Sequence, residues 1–391
     1  MAPTKVRWAA LSLSNIAAVF LPDILLPRDD SDEVEHELVA VSTTGSRERA
    51  DKWFADNKIP NASSIQLYNS WEKMLEEGDF DVVYISTPHP LHYEHVLKAL
   101  QCKQNVLVEK PATMNKDQYA RLVSEAKKNN VVLMEAMWTR YLPATKYFQT
   151  ELLPKIGDVK RVYAEFSFPI YSPDMPHSSR FLDKKAGAGS LLDQGVYALT
   201  WADLALNGLG AEGTVTEVVH ASSMPVPGVP GDVDDIDTLV LSKHDEGSSK
   251  QKAVAIVTTS MTLVGSNKPS FYNRFQSKKA APCVRIEGTK AAVALPFPPI
   301  RPQEFEVQWY DEEHLDQEGM EKNETISKPV GRGWGIWYQA DVIAKRVLER
   351  KKEGAKEGET IGVDESLRVL GWMDQAREKA GILYDAELDK V

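Results

Sequence analysis

Short apolar runs alternate with longer helical patterns from residue 6 to about residue 141, and this alternation limits the available folds more than any other feature. The runs VRWAAL, HELVAVST, DVVYIST, NVLVEKP and VVLMEAM read as five strands. Strands that alternate with helices indicate right-handed crossovers and a mostly parallel sheet with helices on both faces. The predicted helices are 15–26, 46–57, 70–77, 92–101 and 116–129.

After Pro143 the hydrophobic pattern changes to a period of two. In RVYAEFSF, Val162, Ala164 and Phe166 fall on one side of an extended strand, and AVAIVTTSM, CVRIEG, AAVAL and EFEVQWY have the same strand character. Such a series predicts a large, mostly antiparallel open sheet. Helical patterns over 337–352 and 364–380 close the chain.

The chain of 391 residues is therefore expected to form two domains of the α/β class. Residues 1–142 are expected to form a dinucleotide-binding Rossmann domain with a doubly wound parallel sheet. Residues 143–391 are expected to form an α+β domain for substrate binding and dimerisation, with the last helices packed back on the first domain. The segments 224–237 and 243–252, rich in proline, glycine or charge, are expected to be surface loops.

Composition excludes several classes of function. The formal net charge of -11 and the pI near 5.4 disfavour binding to nucleic acid. No uninterrupted run of about 20 apolar residues is available to span a membrane. Cys102 and Cys283 are the two cysteines and suit a reducing compartment, so a cytoplasmic protein is expected. The eight histidines lack an HxxxH spacing, so no metal site is expected, and His95 is expected on a helix surface.

The stretch RWAALSLSNIAA covers the turn after the first strand, where a dinucleotide-binding protein usually has glycines. Ser12 and Ser14 stand at the first two glycine positions and Ala17 at the third. Each serine adds a Cβ where glycine tolerates unusual dihedral angles, and also a hydroxyl that could contact phosphate. This stretch alone leaves nucleotide binding open. The candidate cofactor residues of the turn are Ser12, Ser14, Asn15 and Ile16.

The second strand ends without the acidic residue that typically holds the ribose hydroxyls of NAD. Ser42, Thr43, Ser46 and Arg47 stand there instead. Hydroxyls and a guanidinium suit a 2′-phosphate, so the predicted cofactor is NADP. The alternative is a helix N-cap at Ser46 followed by a solvated arginine.

Polar residues also follow the third and fourth strands, in STPHPLHYEH and NVLVEKPAT. Ligands of doubly wound sheets bind at the carboxyl ends of the strands. Thr87, Pro88, His92, Glu109 and Lys110 are therefore candidate cofactor residues. A lysine half-buried beside a cationic nicotinamide ring would favour its neutral form and could act as an acid or base. The alternative for Lys110 is a solvated charge.

The motifs VEKPAT, MEAMWTRYLP and GSLLDQGVYALTW together resemble those of the glucose-fructose oxidoreductase / inositol dehydrogenase (Gfo/Idh/MocA) family. The resemblance runs from VRW near the start to the final DESLRVLGWMDQAREKAGILY. Within the family it points to dimeric dihydrodiol dehydrogenases and fungal NADP-dependent D-xylose dehydrogenases. It implies a homodimeric, NADP-dependent oxidoreductase. Such an enzyme transfers hydride between a nicotinamide and a hydroxyl or carbonyl carbon of a D-xylose-like aldose or a cyclic trans-dihydrodiol.

The resemblance also implies a catalytic set. Lys110 matches the family's catalytic lysine, and its peptide bond to Pro111 is expected to be cis. Asp193 and Tyr197 match the paired residues of the DxGxY motif, and their four-residue spacing places them on one helix face. Tyr197 would take the proton from the substrate hydroxyl, with Lys110 favouring the ionised phenol, and Asp193 would hold a neighbouring hydroxyl.

Four further residues are candidates for the pocket. Trp138 and Arg140 match the WTR of the dihydrodiol dehydrogenases and would line the nicotinamide and the substrate, although core packing also explains Trp138. Arg180 and Phe181 precede GAGSLLDQG and could contact a sugar or diol, or cap a loop.

Two other classes of function stay open at this point. A relative with a decayed diphosphate turn would act as a non-redox isomerase, lyase or cyclisation catalyst, and Ser12 and Ser14 favour this alternative. A binding protein of the same fold would show no turnover. The retained Lys110, Asp193 and Tyr197 favour the dehydrogenase.

Overall fold

The computed structural model describes residues 3–27, 33–267, 281–311, 314, 323–353 and 359–391. The chain folds into two compact units. The first unit contains Met1–Trp138, Gly331–Leu367 and Lys390–Val391, and the second contains Thr139–Val330 and Arg368–Asp389. The chain leaves the first unit close to the expected boundary at residue 142, and it returns to that unit for one long segment.

The first unit is built on a doubly wound parallel sheet, as the alternating pattern predicts. Every strand pair in it is parallel, and the strand order is β15-β6-β5-β4-β1-β2-β3. The order reverses between β1 and β4, which is where doubly wound sheets open a crevice at the carboxyl ends of their strands. The strands, numbered along the chain, are β1 (Thr4–Leu11), β2 (Val34–Ser42), β3 (Gln66–Tyr68), β4 (Val82–Ile85), β5 (Val106–Glu109), β6 (Val132–Ala136) and β15 (Glu359–Ile361).

In the part of the first unit that the structure describes, six α-helices lie wholly within it. They are α1 (Ala17–Ile24), α2 (Arg47–Asp56), α3 (Trp71–Glu77), α4 (His92–Gln101), α5 (Lys116–Asn129) and α8 (Trp337–Glu353). Side chains of Ser46, Ser70 and Asn115 cap the N-termini of α2, α3 and α5 by accepting main-chain N–H bonds. Helix α8 packs against β2 and β6, and Asp341 on α8 lies 2.8 Å from Nε2 of the buried His36 on β2. None of the described helices has the length and apolar character that a membrane span needs.

The second unit is built on a mostly antiparallel sheet of eight strands, as the period of two predicts. The strand order is β14-β13-β12-β11-β7-β10-β9-β8, and among the pairs of described strands only β7 and β10 are parallel. The strands are β7 (Val159–Ser167), β8 (Thr214–Pro225), β9 (Asp234–Asp245), β10 (Gln251–Ser260), β11 (Pro282–Gly288), β12 (Ala291–Pro296), β13 (Glu304–Trp309) and β14 (Asn323–Ser327).

One face of this sheet packs on a fully buried helix. The second unit contains the helices α6 (Pro143–Tyr147) and α7 (Val196–Asn207) and most of α9 (Val363–Ala380). Helix α9 belongs to the second unit from Arg368 onward. Helix α7 contacts β7 and β10 and is buried along its whole length. Near its end, Asp203 is paired with Arg368 of α9 at 2.7 Å. These contacts fix the helix that begins within the DxGxY motif and carries its tyrosine.

The prediction that 224–237 and 243–252 are surface loops is wrong where strands enter these segments. Strands β8 and β9 extend into the first segment, and β9 and β10 extend into the second. Asp234, Asp235 and Asp237 are at most 2% exposed. Composition misleads here because hydroxyl and N–H groups from distant segments bond these carboxylates.

The prediction that His95 lies on a helix surface is also wrong. The residue is 6% exposed, and its ring packs on Trp71 with the ring centroids 4.5 Å apart. Its Nδ1 lies 3.0 Å from the Thr87 hydroxyl. Burial lowers the pKa of His95 to about 4, so the ring is neutral at pH 7.

Candidate functional site

The serine-containing turn between β1 and α1 has the backbone conformation of a glycine turn. Ser12 has a φ of 86°, in the left-handed region, and its N–H donates to the carbonyl of Ser42 at 3.0 Å. The hydroxyl of Ser14 accepts the N–H of Ala17 at 3.1 Å and bonds the hydroxyl of Ser86 at 2.9 Å. The two serines therefore stand in an ordered turn whose side-chain and main-chain bonds substitute for glycine.

Replacing Ser12 with glycine is expected to raise the free energy of unfolding by about 1 kcal/mol, because a non-glycine residue at positive φ is strained. NADPH affinity is expected to stay the same or rise. The matched variant Ser14→Gly loses the bonds to Ala17 and Ser86 and is expected to lose about 1 kcal/mol. Urea unfolding and NADPH titration measure both effects, and a destabilised Ser12→Gly variant would contradict this account of the turn.

Beside this turn, an open cavity of about 660 Å³ lies at the end of β2. It is lined by residues 43–47, residues 65–67 and Asn69, and none of these side chains is acidic. Ser42 lies at the base of the loop and is buried. A cavity with hydroxyls, amides and a guanidinium fits a phosphate ester better than a pair of ribose hydroxyls.

Arg47 lines this cavity from the first turn of α2. Its Nε bonds the carboxylate of Asp51 at 2.8 Å, and Nη1 bonds the carbonyl of Ile65 at 3.3 Å. The Arg47 and Asp51 side chains are 42% and 50% exposed, so this ion pair is weak and can be exchanged for another anion. Arg49, which the sequence did not single out, passes over the same loop, with Cδ 3.1 Å from a β-carbon placed on Gly45.

The loops after β4 and β5 are joined by His92. Its two ring nitrogens lie 2.8 Å from the carbonyl of Thr87 and 2.9 Å from the carbonyl of Pro111. The side chain is 0% exposed, and burial lowers its pKa to about 4. His92 is thus placed to act on a ligand through the loops that it connects, whereas Pro88 is exposed at the surface of the first loop.

Lys110 follows directly on the buried end of β5. Glu109 is 8% exposed and accepts bonds from the hydroxyl of Tyr84 at 2.6 Å and from the N–H of Lys110 at 3.2 Å. Burial raises the pKa of the Glu109 carboxyl. The Lys110–Pro111 peptide bond is cis, and the Lys110 side chain is half-buried. Contacts hold the backbone on both sides of the lysine, through Glu109 before it and through His92 at the Pro111 carbonyl after it.

In the second unit, Asp193 and Tyr197 lie on one continuous helical segment. Asp193 belongs to the π-helical turn Leu191–Gly195, which runs directly into α7, and its N–H bonds the carbonyl of Gly189 at 3.2 Å. Tyr197 lies in the first turn of α7, where its ring meets Phe166 edge-on at 5.6 Å. The sequence spacing suggests a regular α-helix, whereas the structure has a wider turn, a feature often found at functional sites.

The remaining pocket candidates differ in burial. Trp138 and Arg140 are 6% and 5% exposed and stand on either side of the point where the chain passes between the two units. Arg180 is exposed and stacks its guanidinium on the ring of Phe181 at 3.9 Å. Phe181 in turn packs against the small apolar cluster around Leu182.

The first unit brings together the Ser12 turn, the end of β2 and the loop after β4. The N–H of Ser12 donates to the carbonyl of Ser42, and the hydroxyl of Ser14 bonds that of Ser86. Like Arg49, Ser86 was missed by sequence reasoning. It stands next to Thr87 at the end of β4, so a polar residue at a strand end was the available signal.

Lys110 belongs to the first unit, and Asp193 and Tyr197 belong to the second. Among the described residues, no group of three or more His, Cys, Asp or Glu is arranged to hold a metal ion.

Two family models match the chain. Residues 12–137 match the oxidoreductase family model with an NAD-binding Rossmann fold, GFO/IDH/MocA. Residues 154–294 match the GFO/IDH/MocA C-terminal domain.

Curated relatives match over almost their full length. A D-xylose 1-dehydrogenase (NADP(+)) of Hypocrea jecorina is 29% identical, with 98% of this chain and 94% of the relative covered. A trans-1,2-dihydrobenzene-1,2-diol dehydrogenase of Xenopus tropicalis is 30% identical, with 97% and 99% covered. A crystal structure of a 3-ketoreductase from Actinomadura kijaniata in complex with NADP and TDP-benzene has the same fold, with a TM-score of 0.71, 21% identity and 96% and 98% covered.

Proposed function

Because the chain belongs to the GFO/IDH/MocA oxidoreductase family, we propose that it is an NADP-dependent dehydrogenase. Hydride passes between the nicotinamide and a hydroxyl-bearing or carbonyl carbon of a ring compound. The observation that carries this proposal is the helical segment of the second unit, which bears both Asp193 and Tyr197 of the DxGxY motif, in a chain that also retains Lys110.

We propose that the substrate is a D-xylose-like aldose or a cyclic trans-dihydrodiol. The two groups of curated relatives are named for these two classes of compound. Both classes carry hydroxyls on adjacent ring carbons. An acid-base tyrosine and a carboxylate one helical turn apart suit such a pair, because one can exchange the proton while the other accepts a hydrogen bond.

Each residue of the proposed catalytic set has its own task. Tyr197 takes the proton of the reacting hydroxyl, and Asp193 accepts a bond from the neighbouring hydroxyl and thereby orients the ring. Lys110 stabilises the phenolate by its positive charge. Bound NADP+ supplies the hydride acceptor. Trp138, Arg140, Arg180 and Phe181 are proposed to line the cofactor and substrate pocket.

The first unit fits NADP by two features. The turn at Ser12 and Ser14 keeps the backbone conformation that lets a diphosphate approach the N-terminus of α1, where Asn15 and Ile16 are exposed. The cavity at residues 43–47 offers hydroxyls and Arg47 to a 2′-phosphate. Thr87, Pro88, His92 and Glu109 are proposed to shape the nicotinamide end. An ordered turn disfavours the alternative of a non-redox protein with a decayed diphosphate site.

Replacing Arg47 with alanine is expected to weaken NADP binding by about tenfold, since a charge-assisted bond to phosphate contributes about 1.5 kcal/mol or more. NAD binding is expected to change little, because NAD lacks the 2′-phosphate. Titration of nicotinamide fluorescence with NADPH and NADH measures the selectivity. The exposed Lys52, which pairs with Asp56 farther along α2, provides the matched control Lys52→Ala. Equal weakening for both cofactors would contradict the assignment of Arg47.

The decisive experiment follows reduced nicotinamide by absorbance while purified protein is mixed with NADP+ and a panel of aldoses and cyclic diols. An increase with one of these classes supports the proposal and identifies the substrate class. Failure of NADPH to bind at high micromolar concentration would overturn it.

We also propose that the protein acts as a homodimer through the sheet of the second unit. On the face opposite α7, Val240, Ile256 and Tyr163 form a row across three neighbouring strands. Val240 and Ile256 are half-buried, and Tyr163 is 37% exposed. An apolar row on an open sheet is suited to a symmetric contact between two copies. Sedimentation equilibrium of the purified chain tests this assembly.

A further inference from the structure

Buried aspartates at the start of β9 hold the segment that leads into the π-helical turn. The Oδ2 atom of Asp234 accepts the N–H of Leu191 at 2.9 Å. The hydroxyl of Ser190 lies 2.7 Å from Oδ2 of Asp237 and 2.5 Å from the main-chain carbonyl of Asp235, and it can donate its proton to either oxygen. Both aspartates are 1% exposed. Two carboxyl groups are thus fixed against consecutive residues just before Asp193.

The remaining oxygens of this pair face each other and two hydroxyl groups. Among the described residues, neither Oδ1 of Asp234 nor Oδ1 of Asp237 accepts a well-formed hydrogen bond. The two carboxyl groups lie within hydrogen-bonding reach of each other, the Ser223 hydroxyl faces Asp237, and the Tyr384 hydroxyl faces Asp234. Burial and the neighbouring Asp234 charge raise the pKa of Asp237 well above its usual range. Two carboxyl groups this close and this buried do not both stay ionised, so the pair retains one proton.

Other groups around the pair do not replace this proton. Lys184 and Tyr384 face the pair, and Arg377 and Asp232 act on Lys184. The positive charge of Lys184 lowers the pKa of Asp234 and so leaves the proton with the pair as a whole. Lys184 directs Nζ to the carbonyl of Leu383 at 2.9 Å, and the hydroxyl of Tyr384 donates to the carbonyl of Ala188 at 2.8 Å.

The main chain at Gly189 links the position of the Asp234 carboxyl group to the helical segment that carries Asp193. Gly189 has a φ of 138°, and a β-carbon on it would lie 2.1 Å from Oδ1 of Asp234, so the backbone packs directly on the carboxyl group. The carbonyl of the same glycine accepts the N–H of Asp193 at 3.2 Å. A shift of Asp234 therefore moves the start of the π-helical turn.

We propose that Asp234 and Asp237 share a proton and act as a positioning pair that sets the π-helical turn carrying Asp193 and, one turn on, Tyr197. This role rests on the proposed function, because Asp193 and Tyr197 are its substrate-contacting residues. Neither aspartate is proposed to touch the substrate. The amide of asparagine can supply both the donor to Asp234 and the acceptor for Ser190, whereas alanine supplies neither.

The test compares three variants of the full chain. Asp237→Asn is expected to keep kcat within about threefold of the original, whereas Asp237→Ala is expected to lower kcat by about tenfold or more, since small misplacements of reacting groups are costly. The Kd for NADPH, measured by fluorescence, is expected to stay within about twofold in both, because the turn belongs to the other unit.

The matched control is Asp235→Ala. Asp235 is equally buried on the same strand, but its carboxylate bonds Met261 and Thr262. It is expected to lower the Tm while kcat changes by less than about threefold.

The pH dependence of stability supplies a second readout that does not depend on turnover. A buried acid with a raised pKa holds its proton in the folded chain and releases it in the unfolded chain. Its contribution to stability is therefore present at low pH and is lost as pH rises through the folded-state pKa. As pH rises from the ordinary carboxyl range through the raised folded-state pKa, the Tm of the original chain is expected to fall more steeply than that of Asp237→Asn, because the amide cannot ionise.

The outcomes separate the proposals. A normal kcat in Asp237→Ala, an equal loss in Asp235→Ala, or an Asp237→Asn variant as impaired as Asp237→Ala would overturn the positioning role. Identical pH profiles of Tm for Asp237→Asn and the original chain would overturn the shared proton, even if Asp237→Ala does not fold. A chain that turns over none of the panel would instead overturn the proposed function, and the Tm profiles would still decide the carboxyl pair.

Discussion

Replacing Lys110 with methionine is expected to lower kcat by about 10²- to 10³-fold, the range lost when one preorganised electrostatic partner of a developing charge is removed. Methionine keeps an unbranched chain of similar length but removes the charge that we propose to stabilise the Tyr197 phenolate. The backbone at this position is held by Glu109, which is fixed by Tyr84, so the loop is expected to keep its conformation. Steady-state kinetics with the best substrate of the panel measure the loss.

The exposed Lys127 of α5 provides the matched control Lys127→Met, with kcat unchanged. NADPH titration is part of the same experiment, because a Kd within a few-fold of the original separates loss of chemistry from loss of the cofactor. Full turnover in Lys110→Met would show that the proposed mechanism is wrong.

Replacing Gly189 with alanine is expected to lower the free energy of unfolding by about 3 to 5 kcal/mol, from a strained backbone and a steric clash together. The added β-carbon would lie 2.1 Å from Oδ1 of Asp234, and the φ of 138° is one that L-residues rarely adopt. Because Asp234 is held by the N–H of Leu191, it cannot move aside without breaking that bond.

The variant Gly210→Ala separates the effect of backbone strain from that of the steric clash. Its φ is 113°, but a β-carbon there would meet no atom within 4 Å. Gly210→Ala is therefore expected to lose only the backbone contribution, about 1 kcal/mol. Urea unfolding of both variants gives the difference, and equal losses would mean that the contact with Asp234 contributes nothing.

The sequence predicts the parallel sheet well because its central strands have a strong local signal. The runs at β4 and β5 are apolar on both faces, and α4 and α5 begin and end where their helical patterns do. The short strands β3 and β15 were not predicted. β15 consists of three residues and exists because it pairs with β6, from a distant part of the chain, which a local pattern cannot reveal.

In the candidate site, too, the sequence predicts residues that belong to a local motif but not the burial that distant residues produce. The family motifs identify Lys110, Asp193 and Tyr197 by residue type and spacing. The burial of Asp237 and His95 depends on Ser190 and Trp71, which are distant in sequence, so composition alone predicted both on the surface. The π-helical turn escaped prediction because a spacing of four residues is compatible with α- and π-helical turns alike.

The order of segments along the chain constrains how the first unit is made. Strand β15 and helix α8 belong to its sheet and its helical layer, yet they follow residue 330, after the whole of the second sheet. During synthesis from the N-terminus, β6 is a bare edge until residues 359–361 are made, and His36 is without Asp341 until α8 is made. A nascent chain that lacks these segments would expose an incomplete parallel sheet, so the first unit closes only after the second sheet has been synthesised.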